Sequence, residues 1–182
     1  MLSIFLVLIL IWHFYIGYSR GIVLQLYYFV ASIASLVIAS QFYQTLAEQI
    51  TLWIPYSSAS QGATVTFFTD VNIFNLDQVY YAGVAFTAIY VVVYLLFRFI
   101  GILVHLAPVT SCDSVKMNCV SGVLAILVTL VFFNLALTIL ATVPMAFVQQ
   151  TLSGSFLARA IIDYLPPLSS VIKSLWVTAI LR

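Results

Sequence analysis

The chain has 182 residues, of which 64% are hydrophobic and 6% charged, with a formal net charge of +1. A soluble domain carries about 25% charged residues, and disorder requires low hydrophobicity with high charge, so both are excluded. Six scattered Lys and Arg residues make no basic patch for nucleic acid, and an integral membrane protein with a single membrane domain over 1–182 is expected.

A span needs roughly 17–25 apolar residues, and four stretches approach that length. The first covers about 2–16 and is short. It carries no Lys or Arg ahead of Trp12, so it lacks the basic region of a signal peptide. The segment Gly17-Tyr18-Ser19-Arg20-Gly21 reads as a tight turn, since glycine tolerates positive φ. Trp12, Tyr15 and Tyr18 suit the interfacial aromatic belt, and Arg20 can reach the headgroups. The second span covers about 22–39. In the extracytoplasmic loop expected at 40–77, Tyr43, Leu46, Ala47, Ile50, Trp53 and Ile54 recur at helical spacing. They predict an amphipathic helix over 41–54 lying on the bilayer and ended by Pro55.

The third and fourth spans cover about 79–106 and 119–148. The tail, 149–182, is divided by Pro166-Pro167. Beyond that pair, Leu168, Val171, Ile172, Leu175, Trp176, Ala179 and Ile180 lie on one face, opposite Ser169, Ser170, Lys173, Ser174 and Thr178. That pattern predicts an amphipathic helix too short to cross, placed in the interface or against the bundle. On the near side Arg159 and Asp163 stand at i, i+4, the spacing of an ion pair. The expected fold is therefore an all-α, four-span bundle with interfacial amphipathic segments and a C-terminal amphipathic helix.

With the N-terminus outside, Arg20, Arg98 and Lys116 face the cytoplasm, while the 40–77 loop holds no Lys or Arg. Arg159, Lys173 and Arg182 would lie outside, but only Arg159 falls within the 15–20 positions that weigh most. Three against one favours this orientation.

Chemistry-bearing groups are sparse. The spans carry no Asp or Glu in their interiors, which argues against the proton relays of ion-coupled carriers and against an intramembrane aspartyl protease. His105, Cys112, Asp113 and Cys119 are four metal-ligand types at one side. The cysteines stand seven apart, however, whereas structural zinc sites pair cysteines at two to four intervening residues. No metal, cofactor or catalytic residue is expected. Arg20 and Arg98 permit two readings: an anion or lipid-phosphate site, or snorkelling to the headgroups, which their place near span ends favours. Small residues stand at i, i+4, i+8 on the second span (Ala31, Ser35, Ala39) and on the fourth (Ser121, Ala125, Thr129). Such stripes let helices approach closely, within one chain or in a homo-oligomer. Asn134, with Thr138 and Thr142 on its face, lies mid-membrane and is expected to hydrogen-bond across helices.

The order of these features resembles the colicin V production protein family of bacterial inner-membrane proteins. The run from Trp12 to Gly21 is similar to that family's aromatic, Gly-Tyr-x-Arg-Gly opening. Trp53-Ile54-Pro55-Tyr56, Tyr80-Tyr81-Ala82-Gly83-Val84-Ala85-Phe86, Ser155-Phe156-Leu157-Ala158 and Pro166-Pro167-Leu168-Ser169 resemble lactic-acid-bacterial members. The family often has Asn-Arg-x-x-Gly entering the fourth span. Here Asn118 and Gly122 stand in that frame and Cys119 takes the Arg position, leaving Lys116 as the nearest cytoplasmic charge. The resemblance implies a multi-pass protein of the bacterial plasma membrane with an accessory role in toxin or bacteriocin production or export and in envelope maintenance, and no enzymatic activity. Its expected partners are the lipid bilayer and other membrane proteins or further copies of itself. Gly17, Arg20, Gly21, Arg98, Asn118 and Gly122 are the turn residues expected to set hairpin geometry and headgroup contact. The alternative reading is a small oligomeric channel or transporter with Asn134, Thr138, Thr142 and the Ser/Thr residues of the second span lining a shared path.

Overall fold

The computed structural model describes residues 1–56, 65–68, 71–72, 75–105 and 114–180. The protein is an all-α polytopic membrane protein with four helices long and apolar enough to cross a bilayer. These are α1 (Leu2–Arg20), α2 (Ile22–Ile50), α3 (Leu76–His105) and α4 (Val115–Ala141). Three short helices follow: α5 (Ala146–Ser153), α6 (Phe156–Asp163) and α7 (Leu168–Lys173), the last running into a π-helical turn at Ser174–Thr178.

Several boundaries differ from the sequence expectation for local reasons. The helix α1 continues through Gly17 to Arg20 and so is about 28 Å long, enough to span. The first turn is Gly21 alone, at φ 83° and ψ 162°, a backbone region essentially restricted to glycine. The amphipathic helix expected over 41–54 is instead the continuation of α2 to Ile50. Its buried positions keep one stripe through Gln25, Tyr28, Ser32, Ser35, Ala39, Tyr43 and Ala47, the three-and-four spacing of a single packed face. At 29 residues α2 is about 43 Å long and extends beyond a hydrocarbon core of about 30 Å.

The helix α4 begins at Val115, where the Ser114 hydroxyl accepts the Met117 N–H, an N-cap. It ends at Ala141 rather than near Val148 because Pro144 cannot join the helical ladder. Beyond the prolines the expected helix is present as α7, which passes directly into the π turn at Ser174–Thr178. Its buried face is also rotated from the expected one, since Ser169, Ile172 and Trp176 are buried while Val171 is 47% exposed. Asp163 pairs with Lys173 at 2.9 Å, not with Arg159.

In packing, α2 lies mainly against α3, α1 mainly against α4, and α2 crosses α4. The helices α1 and α3 barely touch. At the end where α2 finishes and α3 starts, the tail fills the space between the long helices. Trp176 is fully buried against Gly83 and Phe86 of α3. Tyr43 donates to the Leu175 carbonyl at 2.7 Å, and Ser3 and Ser155 share a hydrogen bond of 2.7 Å. The segment after α2 folds onto this end, with Tyr56 donating to the Thr142 carbonyl at 2.8 Å and Tyr81 to the Ile54 carbonyl at 2.9 Å. Among the described residues nothing equivalent fills the opposite end, which carries Arg20, Arg98 and Lys116 and is called the basic end below.

Candidate functional site

The contact between α1 and α4 fixes the geometry of the basic end. A Cβ on Gly17 would stand 2.5 Å from the Ala125 Cβ and 2.8 Å from the Ser121 carbonyl oxygen, and a Cβ on Gly122 would enter the Phe14 ring. Glycine at both positions therefore permits the close approach that membrane helices use when packing replaces the hydrophobic effect. The Ser121 hydroxyl lies against the Gly17 and Gly21 carbonyls at the end of α1, the second of which also accepts the Gln25 N–H at 3.3 Å. Of the expected turn residues, Gly17, Gly21 and Gly122 thus share one joint, with Ser121 as its polar clasp. Asn118 sits on the first turn of α4, half-buried, its N–H donating to the Ser114 carbonyl at 2.9 Å. The small-residue stripes of α2 and α4 are buried within the chain.

Because α1 and α3 stand apart, a cleft of about 430 Å³ opens between them, with α4 and the start of α2 behind. It is lined on α1 by Ile9, His13, Ile16 and Arg20 and on α3 by Tyr90, Val91, Tyr94, Leu95 and Arg98. Gln25 and the Ala125–Phe133 face of α4 form its back. From Arg20 to Ile9 the cleft runs about 16 Å along α1, close to half of a hydrocarbon core of about 30 Å.

The mouth is cationic. Arg20 and Arg98, placed by two helices that barely meet, converge on Tyr28, with guanidinium carbons 5.1 and 5.6 Å from its ring centroid. Both contacts are within cation–π range. Neither arginine has a carboxylate partner among the described residues. Gln25 is 2% exposed, and its Oε1 has no hydrogen-bond partner.

Deeper in the cleft the polar groups are engaged by the protein itself. The Tyr90 and Ser32 hydroxyls hydrogen-bond at 2.9 Å, the Thr129 hydroxyl donates to the Ala125 carbonyl at 2.9 Å, and the His13 Nδ1–H donates to the Ile9 carbonyl at 3.0 Å. That last bond fixes the histidine tautomer and leaves Nε2 turned away from its own helix. The inner cleft therefore presents mainly carbon.

Asn134 belongs to the other half of the molecule. It is fully buried and donates to the Ile161 carbonyl and, at 3.1 Å, to the Ser169 hydroxyl. It binds the re-entering tail across helices, and Thr138 and Thr142 are also buried inside the chain. Cys119 is exposed. Cys112 and Asp113 lie outside the described residues, as does the side chain of His105.

Sequence reasoning singled out the two arginines and the glycines but missed Gln25, Tyr28, Tyr94 and His13. The signal for the first two was present, since Gln25 and Tyr28 continue the buried stripe of α2 at three-and-four spacing.

Comparison with known proteins agrees with this architecture. The family model described as colicin V production protein matches residues 2–166. An uncharacterized transmembrane protein of Bacillus subtilis (strain 168), YshB, is 30% identical over 179 residues, covering 97% of each chain. No solved structure matches. With a family match across all four spanning helices, the chain belongs to the colicin V production protein family.

Proposed function

We propose that this protein is a non-catalytic accessory component of the bacterial plasma membrane, acting in toxin or bacteriocin production or export and in envelope maintenance. The observation that supports the reading best is the cleft. Its lining holds neither paired carboxylates nor a cysteine or serine beside a base, the sets that acid–base and nucleophilic catalysis require. It is about one leaflet deep, shorter than a pathway would need. A half-depth, laterally open recess suits holding something resident in the membrane. By the positive-inside rule the basic end faces the cytoplasm.

The test is a clean deletion in the source bacterium, complemented from a plasmid. Loss of secreted peptide or of envelope integrity, restored by the wild-type gene, is the expected result. Native mass spectrometry of the tagged protein in native lipid particles is expected to show stoichiometric unrelated membrane subunits. A closed homo-oligomer that moves a solute at a saturable rate when reconstituted alone would replace this reading with a channel or transporter.

A further inference from the structure

We propose that the cleft between α1 and α3 is a binding site for a phosphate-bearing anionic membrane lipid, with its phosphate between Arg20 and Arg98 and one acyl chain along the slot. Three observations carry this, and none depends on the accessory role.

The first is charge. Two guanidinium groups meet at one ring without a carboxylate among the described residues. Like charges brought together at a bilayer edge repel, and an anion between them converts that cost into attraction. Snorkelling alone explains one arginine reaching the headgroups. It does not explain why two, from helices that barely touch, turn toward the same tyrosine.

The second is the orphan at the mouth. The buried Gln25 Oε1 lacks a partner, which costs stability unless something donates to it. A glycerol hydroxyl or a protonated headgroup oxygen supplies that donor beside the phosphate.

The third is the division of chemistry along the slot. Below the mouth the hydroxyls of Tyr90 and Thr129 are taken up by Ser32 and the α4 backbone. Ile16, Leu95, Val128 and Phe132 then present an apolar surface about one leaflet deep. A cationic mouth above an apolar slot is the complement of an anionic amphiphile standing in its own leaflet. The cavity also lies within the roughly 300–1,000 Å³ of small-molecule sites.

The full-length protein in a neutral detergent would be titrated with phosphatidylglycerol, with phosphatidylcholine and with inorganic phosphate, and adducts counted by native mass spectrometry. Phosphatidylglycerol is expected to bind at least about tenfold tighter than phosphatidylcholine, and inorganic phosphate not to displace it. Arg20→Gln with Arg98→Gln should bring the two lipids to equal affinity. Val128→Trp, which fills the slot with the charges intact, should remove the tight adduct. Equal binding of both lipids by wild type, or a preference that survives the arginine double substitution, would overturn the site. Displacement by inorganic phosphate would overturn the lipid assignment in favour of a free-anion site. A readout that needs no variant is photocrosslinking of wild type with a diazirine-bearing phosphatidylglycerol. Adducts on Ile16, Leu95 and Val128 are expected, whereas adducts spread equally over the outward residues Ile4, Leu8 and Ile11 would mean ordinary surrounding lipid.

Discussion

Replacing Gly17 with alanine is expected to destabilise the bundle by about 1–2 kcal/mol. The new Cβ would lie 2.5 Å from the Ala125 Cβ, 2.8 Å from the Ser121 carbonyl oxygen and 3.1 Å from the Gly122 Cα. None of these is the end of a flexible side chain, so α1 must retreat from α4 by about 1 Å to restore ordinary contact, and overpacking of this kind costs about 1–3 kcal/mol. Retreat also lengthens the Ser121 contacts to the Gly17 and Gly21 carbonyls, and interhelical hydrogen bonds in membranes contribute about 0.6 kcal/mol on average. Against this, alanine favours a helix interior over glycine by about 0.8–1 kcal/mol, which sets the net figure. The assay is reversible unfolding in mixed micelles against a denaturing detergent, followed by circular dichroism. Adding Ala125→Gly removes the closest clash but leaves the one with Ser121, so recovery should be partial. Gly21→Ala provides the contrast: nothing lies within 4 Å of its Cβ, yet φ of 83° costs about 1–3 kcal/mol in backbone strain. Ala125→Gly should not relieve that cost. A Gly17→Ala protein as stable as wild type, or one indifferent to Ala125→Gly, would refute the close-approach reasoning.

Three further outcomes are expected. Asn134→Leu removes the donors to Ile161 and Ser169 but also relieves the unpartnered Asn134 Oδ1, and Ser169 still donates to Ile161 at 3.2 Å. The loss should be about 0.6 kcal/mol, visible as faster hydrogen exchange in α6 and α7, with no change in proteoliposome flux. Lys173→Met breaks a surface ion pair with Asp163 whose side chains are 39% and 30% exposed; chemical denaturation should show a change under about 1 kcal/mol that shrinks with salt. Burial, and then the nearby Asp77, push the Tyr56 phenol up to about 12 from 10. Its neutral form, which donates to the Thr142 carbonyl, therefore contributes stability that is fully present below pH 10 and lost as pH rises through about 12. Unfolding measured across that window should fall less steeply for Tyr56→Phe than for wild type.

What the sequence made legible, and what it did not, follows from the solvent. In lipid a leucine facing outward and one facing a neighbour are nearly equivalent, so hydropathy locates the four spans but says little about which faces meet. Small and polar residues carry that information, and there the reading held: Ala31, Ser35, Ala39, Ser121, Ala125 and Thr129 are all buried inside the chain. Composition argues for a break after Ala39, whereas the period of the buried residues does not. Ser40, Gln41, Gln44, Glu48 and Gln49 make the segment polar, yet Tyr43 and Ala47 keep the buried stripe of α2 in phase. The tail's own pattern allows either the interface or the bundle, and it is the bundle that the tail meets, but the pattern does not give its buried face. Ser169 belongs to the polar face by composition, but it is buried because Asn134, far away in sequence, meets it.

The same logic separates the polar residues that hold the fold from those left over. Ser32 with Tyr90 and Ser121 with the end of α1 are matched inside the protein, and Asn134 is matched through its amide N–H groups to the tail. In hydrocarbon an unmatched polar group is expensive, so such pairs account for their own presence. Buried polar atoms without a partner also occur at Thr87, Asn134 and Trp176, but Arg20, Arg98 and Gln25 are set together. They gather where the tail does not reach, between two helices that do not close, and the protein supplies neither a carboxylate for the cations nor a donor for the Gln25 Oε1 among the described residues. Packing alone would favour apolar residues at those three positions and a closed contact between α1 and α3. Their retention at an open cleft is what a bound anionic group would explain, and it explains also why the two arginines, each unremarkable at a span end when read singly, share one ring.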